Sequence, residues 1–201
     1  MRKVTADELL PLGAYEQVRE RFRQRVIAHK KLRRVFLGPD MTALFEDHET
    51  ALLTVQEMLR AERVSAPKAV REELASYNEL VPPDGSLRAT LMIEIESAEE
   101  RERVRRELVG LDDHVRLELG DRVVTADFDA YGRFDDRIAV VRYVTFPMPA
   151  DGREALLDPA VEARIVIDHP RYRATVTLSE ATRRSLADDL DPENAEGPRA
   201  R

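Results

Sequence analysis

The 201-residue chain contains no cysteine, which excludes disulfides, thiolate nucleophiles, iron–sulfur ligation by this chain and zinc-finger spacings. Tryptophan is also absent and aromatics make up only 5% of the residues, so platforms for stacking bases are few; with a net charge of −7 this argues against nucleic-acid binding. No apolar run approaches the roughly 20 residues of a membrane span, and the first residues, MRKVTADELLPLG, lack the unbroken apolar core of a signal peptide. The expected location is cytoplasmic, with no membrane association. Equally missing are a glycine-rich phosphate loop, HExxH, a nucleophile elbow and a dinucleotide fingerprint. No motif establishes an activity, and no cofactor is implied.

What is abundant is charge, at 35% of residues. Its distribution is uneven: residues 1–36 hold 10 Lys/Arg against 4 Asp/Glu, leaving 22 against 35 for the rest. A basic N-terminal helix beside an acidic body accounts for this, and an anion-binding surface is the functional alternative. Basic residues are 28 Arg to 4 Lys, a bias attributable to genome composition.

Periodicity predicts the elements. Thr5 and Glu8 have capping-box spacing, giving a short helix that stops near Pro11. Tyr15, Val18, Phe22, Val26 and His29 then recur at helical spacing between Ala14 and Leu32. Arg33–Leu37 and Thr42–Glu46 flank Gly38-Pro39-Asp40 as a hairpin, followed by helices from Asp47 or His48 and from Ser65-Ala66-Pro67. Leu87, Ala89, Leu91, Ile93 and Ile95 alternate as a strand, and Ser97 with Glu100 caps a helix over residues 98–109. A hairpin turns at Gly120-Asp121. Arg137–Phe146 reads as a central strand, Gly152–Leu157 as a short helix, Val161–Ile167 and Tyr172–Leu178 as strands, and Ser179–Leu190 as a terminal helix.

The pattern is that of a single α+β domain over residues 1–190, a mainly antiparallel sheet packed with helices, the N-terminal helices and a β-hairpin preceding the sheet; residues 191–201 read as a disordered tail. Two lobes meeting near Pro82-Pro83 are the alternative.

Candidate site residues cluster where the first long helix ends. Lys30, Arg33 and Arg34 suit an anionic ligand, because guanidinium forks match carboxylate and phosphate oxygens. His29 lies on the apolar stripe, where a hydrogen-bonded core histidine is the ordinary reading. The hairpin directs this end toward Glu46-Asp47-His48-Glu49, and Glu46 and Glu57 complete the candidate ligand-binding set. His29 with Glu46, Glu57 and Glu62 offers the alternative of an enzyme with a His/carboxylate metal centre, although the Glu-x-x-His spacing of di-iron bundles is missing. His169, in Asp168-His169-Pro170, reads as a turn residue between strands.

The segments RVIAHKK (25–31), RRVFLGP (33–39), LFED (44–47), QEMLR (56–60), ATLMIE (89–94) and DHP (168–170) resemble an uncharacterised bacterial family, domain of unknown function 3501, over about Lys3 to Leu190. The resemblance implies an accessory or binding protein beside rubrerythrin-like and iron–sulfur oxidoreductase proteins, in a redox or peroxide-linked system. Lacking cysteine, the chain would serve there as partner, regulator or iron-binding helper and not as a cysteine-ligated electron carrier.

Overall fold

In the computed structural model, which describes residues 1–193, a single 3₁₀ turn at Ala6–Glu8 precedes α1 (Leu12–Arg33). A hairpin of β1 (Arg34–Phe36) and β2 (Met41–Glu46) leads into α2 (His48–Ala61) and α3 (Pro67–Tyr77). Then come β3 (Ser86–Ile93), α4 (Ala98–Glu107), β4 (Val115–Leu119), β5 (Arg122–Thr125), β6 (Asp127–Phe128), β7 (Val141–Pro147), α5 (Gly152–Leu157), β8 (Ala163–His169), β9 (Tyr172–Thr177) and α6 (Glu180–Asp189). No helix among the described residues is long and apolar enough to cross a membrane. From residue 194 onward the predicted tail lies outside the described residues.

The strands form two antiparallel sheets, ordered β1-β2-β3-β7-β6 and β5-β4-β8-β9, where alternation alone suggested one. Alternation marks a strand's faces but not its sheet. The chain changes sheets at Ala126, whose N–H bonds the Val115 carbonyl at 3.0 Å, so β5 and β6 belong to different layers although two residues apart.

One apolar cluster joins the sheets. Phe45 of β2, Leu87 and Leu91 of β3 and Phe146 of β7 meet Leu117 of β4 and Ile165 of β8, with α4, α5 and α6 contributing Val104, Leu156 and Leu186. In β2 the odd-numbered residues Met41, Ala43 and Phe45 enter this cluster; Thr42, Leu44 and Glu46 take the opposite face, yet all six are buried. Burial on both sides comes from a second cluster, made by Val4, Leu52, Val55 and Leu59 with Leu74 and Val81, against which Phe22 and Tyr143 pack. The N-terminal segment is fastened there by two buried side-chain amides. Asn78 accepts from Val4 N–H at 2.8 Å and donates to its carbonyl at 2.9 Å, and Gln56 does the same for Leu10 at 2.8 and 3.0 Å. Each amide replaces the β-ladder partner that a lone extended segment lacks.

Two readings shift. Tyr15 and Val26 are buried in α1 as expected, but Val18 is exposed and the place next along the stripe goes to Arg33. The strand expected from Arg137 starts at Val141; residues 129–140 form a loop folded on itself through an isolated bridge between Arg133 and Ile138, whose apolar Ile138 reaches the main core.

The two sheets are also pinned together at the β1–β2 turn. Gly38 has φ +81°, and the Tyr172 hydroxyl from β9 donates to the Leu37 carbonyl while accepting from Asp40 N–H at 3.3 Å. A Cβ at position 38 would stand 2.7 Å from that hydroxyl oxygen. Gly38→Ala therefore combines left-handed backbone strain with a clash and should cost about 2 kcal/mol in urea denaturation. The cost should be smaller in a Tyr172→Phe background, because the two residues share one contact.

Candidate functional site

α1 ends at Arg33, a fully buried arginine. The chain turns directly into β1 there, so the side chain is driven inward under β2. Nε donates to the Phe45 carbonyl at 2.9 Å and Nη2 to the Glu46 carbonyl at 3.1 Å. Nη1 reaches Ser185 Oγ at 2.9 Å, the Ser185 carbonyl at 3.2 Å and Asp189 Oδ1 at 3.2 Å, and Nη2 also bonds Asp189 Oδ2. All the guanidinium nitrogens are engaged with α6 and with backbone carbonyls of β2, leaving nothing for an external anion.

Asp47 stands between this arginine and His29. One oxygen caps α2 by accepting from Thr50 N–H at 2.9 Å, while Thr50 Oγ1 accepts from Asp47 N–H at 2.9 Å. The other oxygen meets His29 Nε2 and lies 3.4 Å from Arg33 Nε. Burial opposes ionisation of Asp47, but the His29 bond and the Arg33 charge outweigh it and hold the carboxyl at about 2. Burial acts in the same sense on Asp189 and, with repulsion from Asp47, pushes it up to about 6 against the attraction of Arg33. Two carboxylates thus share one deeply buried cation on unequal terms. The His29 ring stays one-third exposed.

The other candidates lie apart from this network. Glu57, on α2, accepts from the Tyr15 hydroxyl at 2.6 Å and from Arg19 through two bonds of 2.8 Å, and the Arg19 bonds lower its pKa despite partial burial. Lys30 and Arg34 are on the outer side of α1 and β1, where with Ile27, Lys31 and Phe36 they line a shallow depression of about 310 Å³. Arg34 touches Glu94 at 3.2 Å. Glu46 sends its carboxylate to the outer face of its sheet, where Oε1 accepts from Thr90 Oγ1 at 2.6 Å. His29 and Arg33 are therefore brought together with the Glu46 main chain. Lys30 and Arg34 form a separate edge, and Glu57 is remote from both. The metal-centre alternative loses its ligands by this separation: among the described residues no three His, Asp or Glu side chains gather to hold an ion. His169, expected in a turn, is the buried last residue of β8. Its Nε2 donates to the Val109 carbonyl at 3.2 Å and its Nδ1 accepts from Arg171 N–H at 3.2 Å.

Sequence reasoning missed Asp189, which read as one more charge in a polar C-terminal helix. It also missed the polar row on the outer sheet face. Arg88 pairs across the strands with Glu46 on one side and Thr145 on the other, and is buried. Its place in an alternating strand suggested solvent, and only the helical layer above it says otherwise. The signal available was β2, where Thr42 and Glu46 interrupt an otherwise apolar run.

A model of the family described as protein of unknown function (DUF3501) matches residues 3–190, and the chain belongs to that family. A crystal structure described as a novel protein of unknown function from Burkholderia pseudomallei is similar at a TM-score of 0.87 and 34% identity, over 94% of this chain and 100% of that one. No curated protein matches.

Because Asp47 has its folded pKa below its unfolded value of 3.8, its contribution is fully present above that value and is lost as the pH falls toward 2. Asn keeps the helix cap but not the charge, so Asp47→Asn should lose about 2 kcal/mol at pH 7. The difference from the parent chain in chemical denaturation should shrink through pH 4 and vanish near pH 2.

Proposed function

We propose that the chain is a binding protein that docks an acidic segment of a partner protein along the edge formed by α1 and β1. The observation that carries this reading is Phe36, 65% exposed on a three-residue edge strand, with Lys30 and Lys31 beside it and no anionic partner for either lysine among the described residues. Ile27 adds exposed aliphatic surface in the same depression. An aromatic side chain next to unneutralised ammonium groups fits a segment presenting an apolar residue flanked by Asp or Glu. The outward N–H and C=O groups of a strand edge are available to such an extended segment.

Charge argues against a second copy placed symmetrically on this face, because a two-fold contact would set Lys30, Lys31 and Arg34 against themselves. His29, Arg33 and Glu46 serve the same surface from beneath, fixing the end of α1 on β2 so that Lys30 and Arg34 keep their spacing. Glu57 anchors the other end of α1 through Tyr15 and Arg19. Rubrerythrin-like and iron–sulfur oxidoreductase proteins, which the family resemblance implies as neighbours, are the first partners to try. The reading leaves the chain itself without catalytic chemistry.

Phe36→Ser combined with Lys30→Glu and Lys31→Glu should leave circular dichroism unchanged while weakening binding to a purified acidic partner by about a hundredfold or more. Parent-chain binding should fall with added salt. Unchanged affinity in the triple variant contradicts the reading, as does self-association in sedimentation equilibrium that the same substitutions abolish.

A further inference from the structure

The second sheet ends in an open edge. β9 is its last strand and pairs on one side only, with β8. The phase of that ladder is fixed by Leu178 N–H, which donates to the Ala163 carbonyl at 2.8 Å, and by a register that sets Val176 opposite Ile165 and Ala174 opposite Ile167. Antiparallel pairing then turns the main-chain groups of Tyr172, Ala174 and Val176 toward β8 and those of Arg173, Thr175 and Thr177 away from it. No group among the described residues answers these outward N–H and C=O groups. The remaining edges are short: β1 has three residues, β6 two, and β5 four before the chain leaves the sheet at Ala126. β9 has six, without proline or glycine, and its exposed residues alternate strictly with half-buried ones. An uncovered edge of this kind is a template for another strand.

The charges along β9 say which strand fits. Arg173 lies opposite Asp168, but that carboxylate is held by Arg116 and, at 3.1 Å, by His114 Nδ1, so Arg173 has no anionic partner among the described residues. At the other end of the strand Thr177 Oγ1 donates to Glu162 Oε1 at 3.1 Å. The Glu162 side chain is 55% exposed, and its other oxygen lies 3.5 Å from Arg164, whose closer partner is Glu118 at 2.7 Å. The edge thus carries an unpaired cation at its start and a solvent-facing carboxylate at its end, a distribution that complements itself when reversed. We propose that two copies of the chain pair through β9, antiparallel about a two-fold axis at Thr175, joining their second sheets into one. In that register Arg173 stands opposite Thr177 of the second copy and beside its Glu162, while Thr175 pairs with its own counterpart. All three outward residues are used. An axis at Ala174 or Val176 leaves Thr177 or Arg173 facing a residue beyond the strand. On the inner side Ala174 meets Val176 of the second copy, and both pack against the main core, so each face continues across the junction. Phe36 shares the opposite face of the first sheet with Thr42, so partner docking and self-pairing use different layers.

The test is sedimentation equilibrium on the full chain, which should be dimeric at about 100 μM. Proline is tolerated on an edge strand whose N–H faces solvent, so Thr175→Pro should leave circular dichroism unchanged and weaken self-association by about a hundredfold or more. Arg173→Glu changes only an exposed side chain and decides the matter where the proline variant fails to fold; it should weaken the dimer by about tenfold or more. Adding Glu162→Arg to Arg173→Glu reverses the ion pair and should recover most of that loss, which a merely destabilised strand would not do. Phe36→Ser with Lys30→Glu and Lys31→Glu should leave the dimer unchanged, which separates this edge from partner docking. A parent chain that is monomeric at about 100 μM would overturn the proposal. So would a dimer that Thr175→Pro and Arg173→Glu both leave intact, or a reversed pair no stronger than Arg173→Glu alone.

Discussion

The buried guanidinium of Arg33 is the interaction on which the arrangement of helices and sheets depends. It is the last residue of α1, and its donors reach β2 main chain and the final turns of α6, residues that lie more than 150 positions apart in sequence from Arg33 in the case of Asp189. A charge so deep is tolerable only when every donor is used and a counter-charge is close. Both conditions hold, and Asp47 carries the same ionic set into the first turn of α2 and to His29. Helical layer, first sheet and terminal helix therefore share one electrostatic joint.

Much of this was legible beforehand. The hairpin around Gly38-Pro39, the Asp47 cap, Pro67 in a helix's first turn, the alternating strand at 87–93 and the terminal helix opened by Ser179 all follow from local chemistry, and local chemistry is what a sequence displays. The role of Arg33 is not local. In HKKLRR it looks like one of four cations at a solvated helix end, and only α6 folding back to offer Asp189 makes it a core residue. Its neighbours Lys30 and Arg34 keep the exposed character that the run suggests. The same reason hides the polar sheet face. Arg88 and Thr90 alternate with Leu87, Ala89 and Leu91 as solvent-facing residues do, and what covers them arrives from the N-terminal segment and α2, distant in sequence.

Two polar regions of the molecule are thus of opposite construction. At the α1–β1 edge, charge and an aromatic ring face outward with little local neutralisation, which suits recognition of another macromolecule. Beneath the helical layer, the Glu46 carboxylate and the Arg88 guanidinium are withdrawn from water and incompletely paired. α1 connects them, since the helix that displays Lys30 on one side is the helix that Arg33 locks onto β2 on the other. The docking reading therefore presupposes that the joint is intact.

The most direct measurement of that joint is the stability of Arg33→Met, followed by amide hydrogen exchange across α6. Leaving Asp189 and Asp47 without their shared cation should cost about 3 kcal/mol or more and release protection in residues 180–189 before the core strands open. A variant as stable as the parent, with α6 protected as before, would contradict the claim that this one buried arginine holds the architecture together.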